Sequence, residues 1–252
     1  MKIKFAFVYT IIFLLGLSVS TSVLAEATGN RYNLPRDYAG EVSSAKAYLL
    51  AIADEDDDDK HHKKGKRHKH HDEDDNDVII IDVRTIEEHV AGHPEDSFNI
   101  PYPHIQSRPN ITEPVYIGQN PKDFYDYVAA QFPDRSIPIL TLCRTGFRSV
   151  LAANILANPG EWVPEYKAAK EAGMDVPAGY TNVRNIWEGF IGNHKTLTDP
   201  NDGVTYNLDL DNDGAITDAD RDGWAHYQGL PVSFEIEDDR IYQPYSYLYP
   251  DL

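Results

Sequence analysis

Cys143 is the one cysteine of this 252-residue chain, and it opens the loop Cys143-Arg144-Thr145-Gly146-Phe147-Arg148. The thiolate is the reactive form of cysteine, and nearby positive charge or a helix N-terminus favours it over the thiol. Arg144 and Arg148 supply the charge. The run before the loop, Pro138-Ile139-Leu140-Thr141-Leu142, reads as a strand. The run after it, from Ser149 to Ala157, reads as a helix. A strand that feeds a helix through a short turn gathers backbone N–H groups and the positive end of a helix dipole at one point. One short segment thus makes both a nucleophile and an anion cradle. A buried core thiol is the alternative, since free cysteine is often buried. That reading is weaker here, because Arg144 and Arg148 would be costly to bury unpaired. Gly146 in mid-loop also suits a backbone turn that other residues avoid.

The elements that must hold this loop alternate along the chain. Val42 to Ala53 predicts a helix, with Val42, Ala45, Leu49 and Ile52 spaced for one apolar face. Val78 to Asp82 predicts a strand, and Thr85 with Glu88 a capping box for a short helix. Strands are expected at Phe98–Ile100 and Val183–Ile186, and a helix at Lys122–Phe132. Apolar strands between helices predict an α/β fold with a mainly parallel central sheet, flanked by helices on both faces. Cys143 then falls at the carboxyl end of a strand, where open α/β sheets bind ligands.

Two segments interrupt this alternation. Asp54 to Asp77 has no apolar side chain and runs from acidic to basic and His-rich and back to acidic. It is expected to be a disordered insertion, unable to bury enough surface to offset chain entropy. His61, His62, His68, His70 and His71 are candidate transition-metal ligands, with a solvated linker as the plainer reading. The second segment, 193–222, contains Asp209-Leu210-Asp211-Asn212-Asp213-Gly214-Ala215-Ile216-Thr217-Asp218-Ala219-Asp220. This follows the twelve-residue calcium loop: Asp209, Asp211 and Asp213 at positions 1, 3 and 5, Gly214 at the sharp turn, and the Ala215 carbonyl at position 7. Asp220 stands at position 12, where sensor loops carry glutamate, and is similar in this to dockerin modules. The expectation is one structural calcium ion, with an acidic surface loop as the alternative.

The N-terminus has the pattern of a secretory signal: Lys2 and Lys4, an apolar run from Phe5 to Leu17, and Val23-Leu24-Ala25 for cleavage before Glu26. A periplasmic or secreted bacterial protein is expected, with no stable membrane insertion after cleavage. Such compartments favour paired cysteines. A lone thiol there is a liability unless it is used, which strengthens the nucleophilic reading of Cys143. The formal net charge of −18 argues against nucleic acid or an anionic membrane as partner. An anionic substrate then needs a local positive pocket, for which Arg144, Arg148 and Arg84 are the candidates.

Several blocks in order resemble the rhodanese (sulfurtransferase) family. They are Val78-Ile79-Ile80-Ile81-Asp82-Val83-Arg84, the Thr85–His93 stretch ending in Gly92-His93, Phe98-Asn99-Ile100-Pro101, the cysteine loop through Ser149, Asn182–Phe190, and Gly223-Trp224 with Gly229-Leu230-Pro231-Val232. Pro94-Glu95-Asp96-Ser97 departs from the family's Ile-Pro-Gly-Ala turn, and the insertion 193–222 splits the last strand from the closing helix. The resemblance implies a rhodanese-like domain over 42–235, after a signal peptide (1–25) and a lead segment (26–41), and before a C-terminal tail (236–252). It implies a Cys143 persulfide, with Arg144, Thr145, Gly146, Phe147, Arg148, Ser149 and Arg84 around an anionic sulfur donor, and a thiol or cyanide as acceptor, with no organic cofactor. Two other readings stay open. A sulfane-sulfur carrier uses the same residues. A phosphatase or arsenate reductase uses a Cys-x5-Arg loop, whereas Arg148 follows Cys143 after four intervening residues.

Overall fold

The computed structural model describes residues 29–53, 78–107 and 116–250. The signal-like N-terminus and the His-rich stretch 54–77 lie outside the described residues. Five parallel strands form the central sheet: β1 (Gly40–Val42), β2 (Ile79–Asp82), β3 (Phe98–Asn99), β6 (Ile139–Leu142) and β7 (Val183–Ile186), in the order β1-β7-β6-β2-β3. The register sets Ile79–Asp82 against Ile139–Leu142, residue for residue, and Ile139–Thr141 against Val183–Asn185. Two antiparallel pairs stand apart, β4 (His104–Gln106) with β5 (Ile117–Gly118), and β8 (Thr196–Thr198) with β9 (Thr205–Asn207).

Because side chains alternate along a strand, the apolar runs feed two cores at once. Ile81, Ile139 and Val183 point to one face, where helices Pro121–Gln131 and Phe147–Ala157 cover them with Phe124, Tyr125, Val128, Val150 and Ile155. Ile80, Leu140, Leu142 and Ile186 point to the other, covered by helix Ser44–Ala53 and by Trp224. The expected mainly parallel sheet with helices on both faces is what the chain forms. Among the described residues no helix is long and apolar enough to cross a membrane.

Several local expectations change. Val42 ends a strand rather than starting a helix, and the helix that follows buries Ala47 while leaving Leu49 55% exposed. Glu188 anchors its start, its carboxylate accepting from the Ser44 amide (2.7 Å) and hydroxyl (3.1 Å), so the face of Ser44, Ala47 and Tyr48 turns inward. The closing segment after Gly223 is a series of turns, hung from the turn after β7 by Trp224 N–H to the Gly189 carbonyl (3.0 Å) and Ala225 N–H to the Phe190 carbonyl (2.9 Å). The segment beyond 235 is more than a tail, because Ile241, Tyr242 and Tyr249 join the main core. At the departing turn, Asp96 takes the left-handed conformation (φ 59°), and Ser97 closes the turn onto the Pro94 carbonyl (2.7 Å).

Candidate active site

Cys143 leaves the end of β6, the middle strand of the sheet, and is 1% exposed. The chain then turns through Gly146, whose φ of 97° lies in the left-handed region. A Cβ there would lie 2.7 Å from the Trp187 carbonyl oxygen, so glycine is required twice over. The turn brings the Gly146 N–H to the Cys143 sulfur at 3.1 Å, and the Ser149 hydroxyl to the same sulfur at 3.4 Å. Helix Phe147–Ala157 starts here, and its first amides have no intrahelical partner. The positive end of the helix dipole therefore falls at the loop that carries the sulfur.

The turn after β7 holds the loop's carbonyls away from the sulfur. Phe190 N–H donates to Cys143 O (2.8 Å), and Ile191 and Gly192 N–H both donate to Arg144 O (2.9 and 3.0 Å). The approach is close because Gly189 (φ 74°) has no side chain; a Cβ would lie 2.7 Å from the Cys143 carbonyl oxygen. With the Cys143 and Arg144 carbonyls bound behind, the loop presents the Gly146 N–H to the thiol, as an anion cradle must.

The loop side chains divide. Arg144 is exposed, with no side-chain hydrogen bond or ion pair among the described residues, and Phe147 is 44% exposed beside it. Arg148 turns the other way and binds Glu88 bidentately, Nη1 to Oε2 at 2.6 Å and Nη2 to Oε1 at 2.9 Å. Glu88 also completes the capping box of helix Ile86–Val90 with Thr85, so the capping carboxylate tethers the cysteine loop's helix. Arg84 differs from its expected place at the cradle. It is 2% exposed, and its guanidinium is engaged by Asp82 (2.7 Å) and the Gly92 carbonyl (2.8 Å) and stacked over the Phe190 ring at 3.9 Å.

With this nucleophile loop on the middle strand, the family comparison is decisive. The rhodanese-like domain family matches residues 66–192, half of the chain. The chain belongs to that family. Membership supports a sulfurtransferase-type or related activity. No curated protein matches. Among solved structures, the crystal structure of Rv0390 from M. tuberculosis aligns over 79% of this chain and 99% of its own, at 20% identity and a TM-score of 0.36.

Electrostatics in this rhodanese-like domain centre on two ion pairs. Burial opposes the Glu88 charge, but the Arg148 hydrogen bonds and charge outweigh it and hold its carboxyl below the usual range. Arg148 is in turn held protonated more firmly than usual, by Glu88 against burial, and the Cys143 sulfur is near enough to contribute. Behind them Asp82 is fully buried; Arg84 and His89 overcome that burial and keep it ionised well below the usual range. His89 pairs with Asp82 (2.8 Å) and stacks on His93 at 3.8 Å, and burial pushes it down to about 4.

The acidic insertion lies apart from this site in sequence. Carboxylate oxygens of Asp209, Asp211 and Asp213 converge within 4.8 Å of one another. Gly214 turns at φ 90°, and exposed Ala215 follows. Asp220 is buried and sits differently, accepting from the amides of Leu210 (2.6 Å) and Thr217 (2.7 Å). Sequence reasoning missed Glu88 as partner of Arg148, and Gly189 as backing for the loop. Glu88 was visible as a cap, and Gly189 only as one glycine of a resembling block.

Proposed function

We propose that this protein moves sulfane sulfur from thiosulfate or a persulfide to a thiol or cyanide, through a persulfide on Cys143. The observation that carries this is the Gly146 N–H aimed at the Cys143 sulfur, in a loop whose carbonyls are bound on the far side. In the first half-reaction the thiolate attacks the outer sulfur of thiosulfate. A bond forms from the cysteine sulfur to that sulfur, the bond to the sulfonate sulfur breaks, and sulfite leaves with the electron pair. In the second, cyanide or a thiolate attacks the outer sulfur, departs as thiocyanate or a persulfide, and returns the Cys143 thiolate. No external oxidant or reductant is needed. Gly146 N–H, the first helix amides and Ser149 stabilise the terminal sulfur's charge. Arg144 draws the anionic donor in against the acidic surface.

Intact-mass analysis after incubation with thiosulfate tests this. The wild type should gain the mass of one sulfur atom, and Cys143→Ser should gain none while melting at the same temperature, since serine is nearly isosteric but un-ionised near neutral pH. No adduct with thiosulfate or a low-molecular-weight persulfide overturns the reading. Catalytic thiocyanate production separates an enzyme from a stoichiometric carrier.

Two further parts of the reading rest on sequence pattern. The loop 209–220 takes one calcium ion through Asp209, Asp211, Asp213, the Ala215 carbonyl and Asp220, supported by the convergence of the first three carboxylates. Ordinary function for that ion is structural. The N-terminal pattern supports export to a bacterial periplasm or beyond, with a mature chain starting at Glu26, which N-terminal analysis of protein from the exported fraction would check.

A further inference from the structure

We propose that Tyr32, in the segment ahead of β1, is a positioning residue: its hydroxyl fixes the peptide plane that aims the Gly146 amide at Cys143. The functional weight of this inference rests on Cys143 being the sulfur-carrying nucleophile; its geometry does not. The Tyr32 hydroxyl donates to the Thr145 carbonyl at 2.7 Å and lies 3.0 Å from the Thr145 hydroxyl. The Thr145 carbonyl and the Gly146 N–H belong to one peptide unit. In a trans peptide these two groups point in opposite directions across a rigid plane. Holding the oxygen outward therefore turns the N–H inward, where its nitrogen sits 3.1 Å from the sulfur.

This plane needs an anchor more than its neighbours do. The carbonyls of Cys143 and Arg144 are bound by backbone amides of residues 190–192, whereas no backbone amide among the described residues reaches Thr145 O. Gly146 tolerates either sign of φ, so the plane before it is the easiest in the loop to flip. The anchor is itself built in advance. Asn30, 3% exposed, accepts from the amides of Tyr32 (3.1 Å) and Leu34 (3.0 Å) and donates to the Leu34 carbonyl (2.9 Å). Arg31 pairs with Asp222 at 2.6 Å and lies over the Trp187 ring at 5.7 Å. The Tyr32 ring meets Phe147 edge-on at 5.3 Å, and its Cε2 lies 3.6 Å from where a Cβ on Gly146 would stand. Ring contacts place the side chain, and the hydroxyl sets the plane.

Tyr32→Phe keeps the ring and removes the hydroxyl. Three measurements on the full chain judge it: hydrogen exchange of the Gly146 amide by NMR, the alkylation rate of Cys143 by iodoacetamide at fixed pH, and melting temperature. Gly146 exchange should rise about fivefold to tenfold, the factor of one net hydrogen bond, and alkylation should slow by a similar factor. Amides of the central strands and the melting temperature should stay as in wild type. In thiosulfate turnover, kcat should fall with KM for thiosulfate unchanged. An unchanged Gly146 amide, or a uniform rise in exchange with a lowered melting temperature, overturns the inference, the latter showing structural support only. Failure of the wild type to load sulfur would sink the sulfurtransferase reading instead, since exchange and alkylation need no sulfur donor.

Discussion

The cysteine loop takes its shape from residues remote in sequence, and the acidic loop at 209–220 takes its shape largely from itself. Around Cys143 the carbonyls of Cys143 and Arg144 are held by the turn after β7, Arg148 by Glu88, and the Thr145–Gly146 peptide by Tyr32. Between Asp209 and Asp220 the amides of Asp213, Gly214 and Ala215 bond to aspartates of the same loop, and the neighbouring β8 and β9 are exposed along their length. A nucleophile cradle assembled by the scaffold is pre-organised but inherits every fault of that scaffold. A loop that closes on its own side chains can be altered locally. Substitutions in the backbone turn that backs the first region should therefore couple activity to stability, and substitutions in the second should separate them.

Gly189→Ala should show the strongest coupling. The added methyl would press on the Cys143 carbonyl at 2.7 Å from a left-handed backbone. Strain and overpacking together should cost at least about 2 kcal/mol, lowering the melting temperature by about 4–8 °C. Displacement of the loop should reduce kcat by more than tenfold. Thermal melting and thiocyanate production check both halves. A variant that melts early but turns over normally would show that the cradle is not set by the turn after β7.

Arg148→Ala and Glu88→Gln come next, and they should differ in sign. Removing Arg148 leaves the partly buried Glu88 carboxylate without its partner and takes away a positive charge that acts on the sulfur, so kcat/KM for thiosulfate should fall about tenfold, the scale of one charge-assisted bond. Removing the Glu88 charge leaves Arg148 less neutralised, so KM for the anionic donor should stay or drop while stability falls through the weakened cap, by about 1 kcal/mol. Equal losses of kcat/KM in both variants would mean that the pair acts as a structural tether alone.

Acid sensitivity should be smaller and opposed from within. An unfolded His89 takes up a proton below its ordinary 6.5, whereas the folded one waits until about 4, so stability drains as pH falls through that window. Asp82 and Glu88, held low in the fold, extend the same loss further into acid, because their stabilisation is present above the unfolded carboxylate range. Glu41 works in reverse. Burial lifts it to about 7 from 4.5, so it costs stability as pH rises between those values and returns it on acidification. Glu41→Gln should therefore steepen the fall in melting temperature between pH 7 and 4.5, by several degrees. An identical pH profile in the variant would show that Glu41 does not titrate there.

What the sequence revealed follows the same division. The strands Ile79–Asp82 and Ile139–Leu142 were legible because burial on both faces demands unbroken apolar runs, and the Thr85–Glu88 cap because it is local. Cys143, Gly146 and Ser149 were legible because strand, turn and helix are adjacent in the chain. The Glu88–Arg148 pair was not, since nothing local specifies which distant carboxylate meets a given arginine. β1 was missed because Gly40–Val42 is too short to show a period and forms only against β7. Leu49 was assigned to the wrong face because the contact that anchors the helix start, Glu188 with Ser44, is remote in sequence. Tyr242 and Tyr249 looked peripheral because a tyrosine-rich segment carries no periodic signal, although both fill the core.

The smallest effect on activity should come from the acidic loop. Calcium binding to the folded state alone raises stability by mass action, about 1.4 kcal/mol at ten times Kd. A chelator should thus lower the melting temperature by about 3–6 °C, and Asp213→Ala should abolish that response by removing one of three converging carboxylates. Turnover at moderate temperature should change by less than twofold in both cases, because the amides that hold the Cys143 loop come from residues 190–192, ahead of the insertion. The loop's exit is the point where this separation can fail, since Asp222 holds Arg31 at 2.6 Å, next to Tyr32. Chelation that slows turnover without moving the melting curve would show that the ion acts through Asp222 and Arg31 on Tyr32, making the insertion a control element of the cysteine loop. Chelation that changes neither would show that the aspartates form an acidic surface loop without a bound ion.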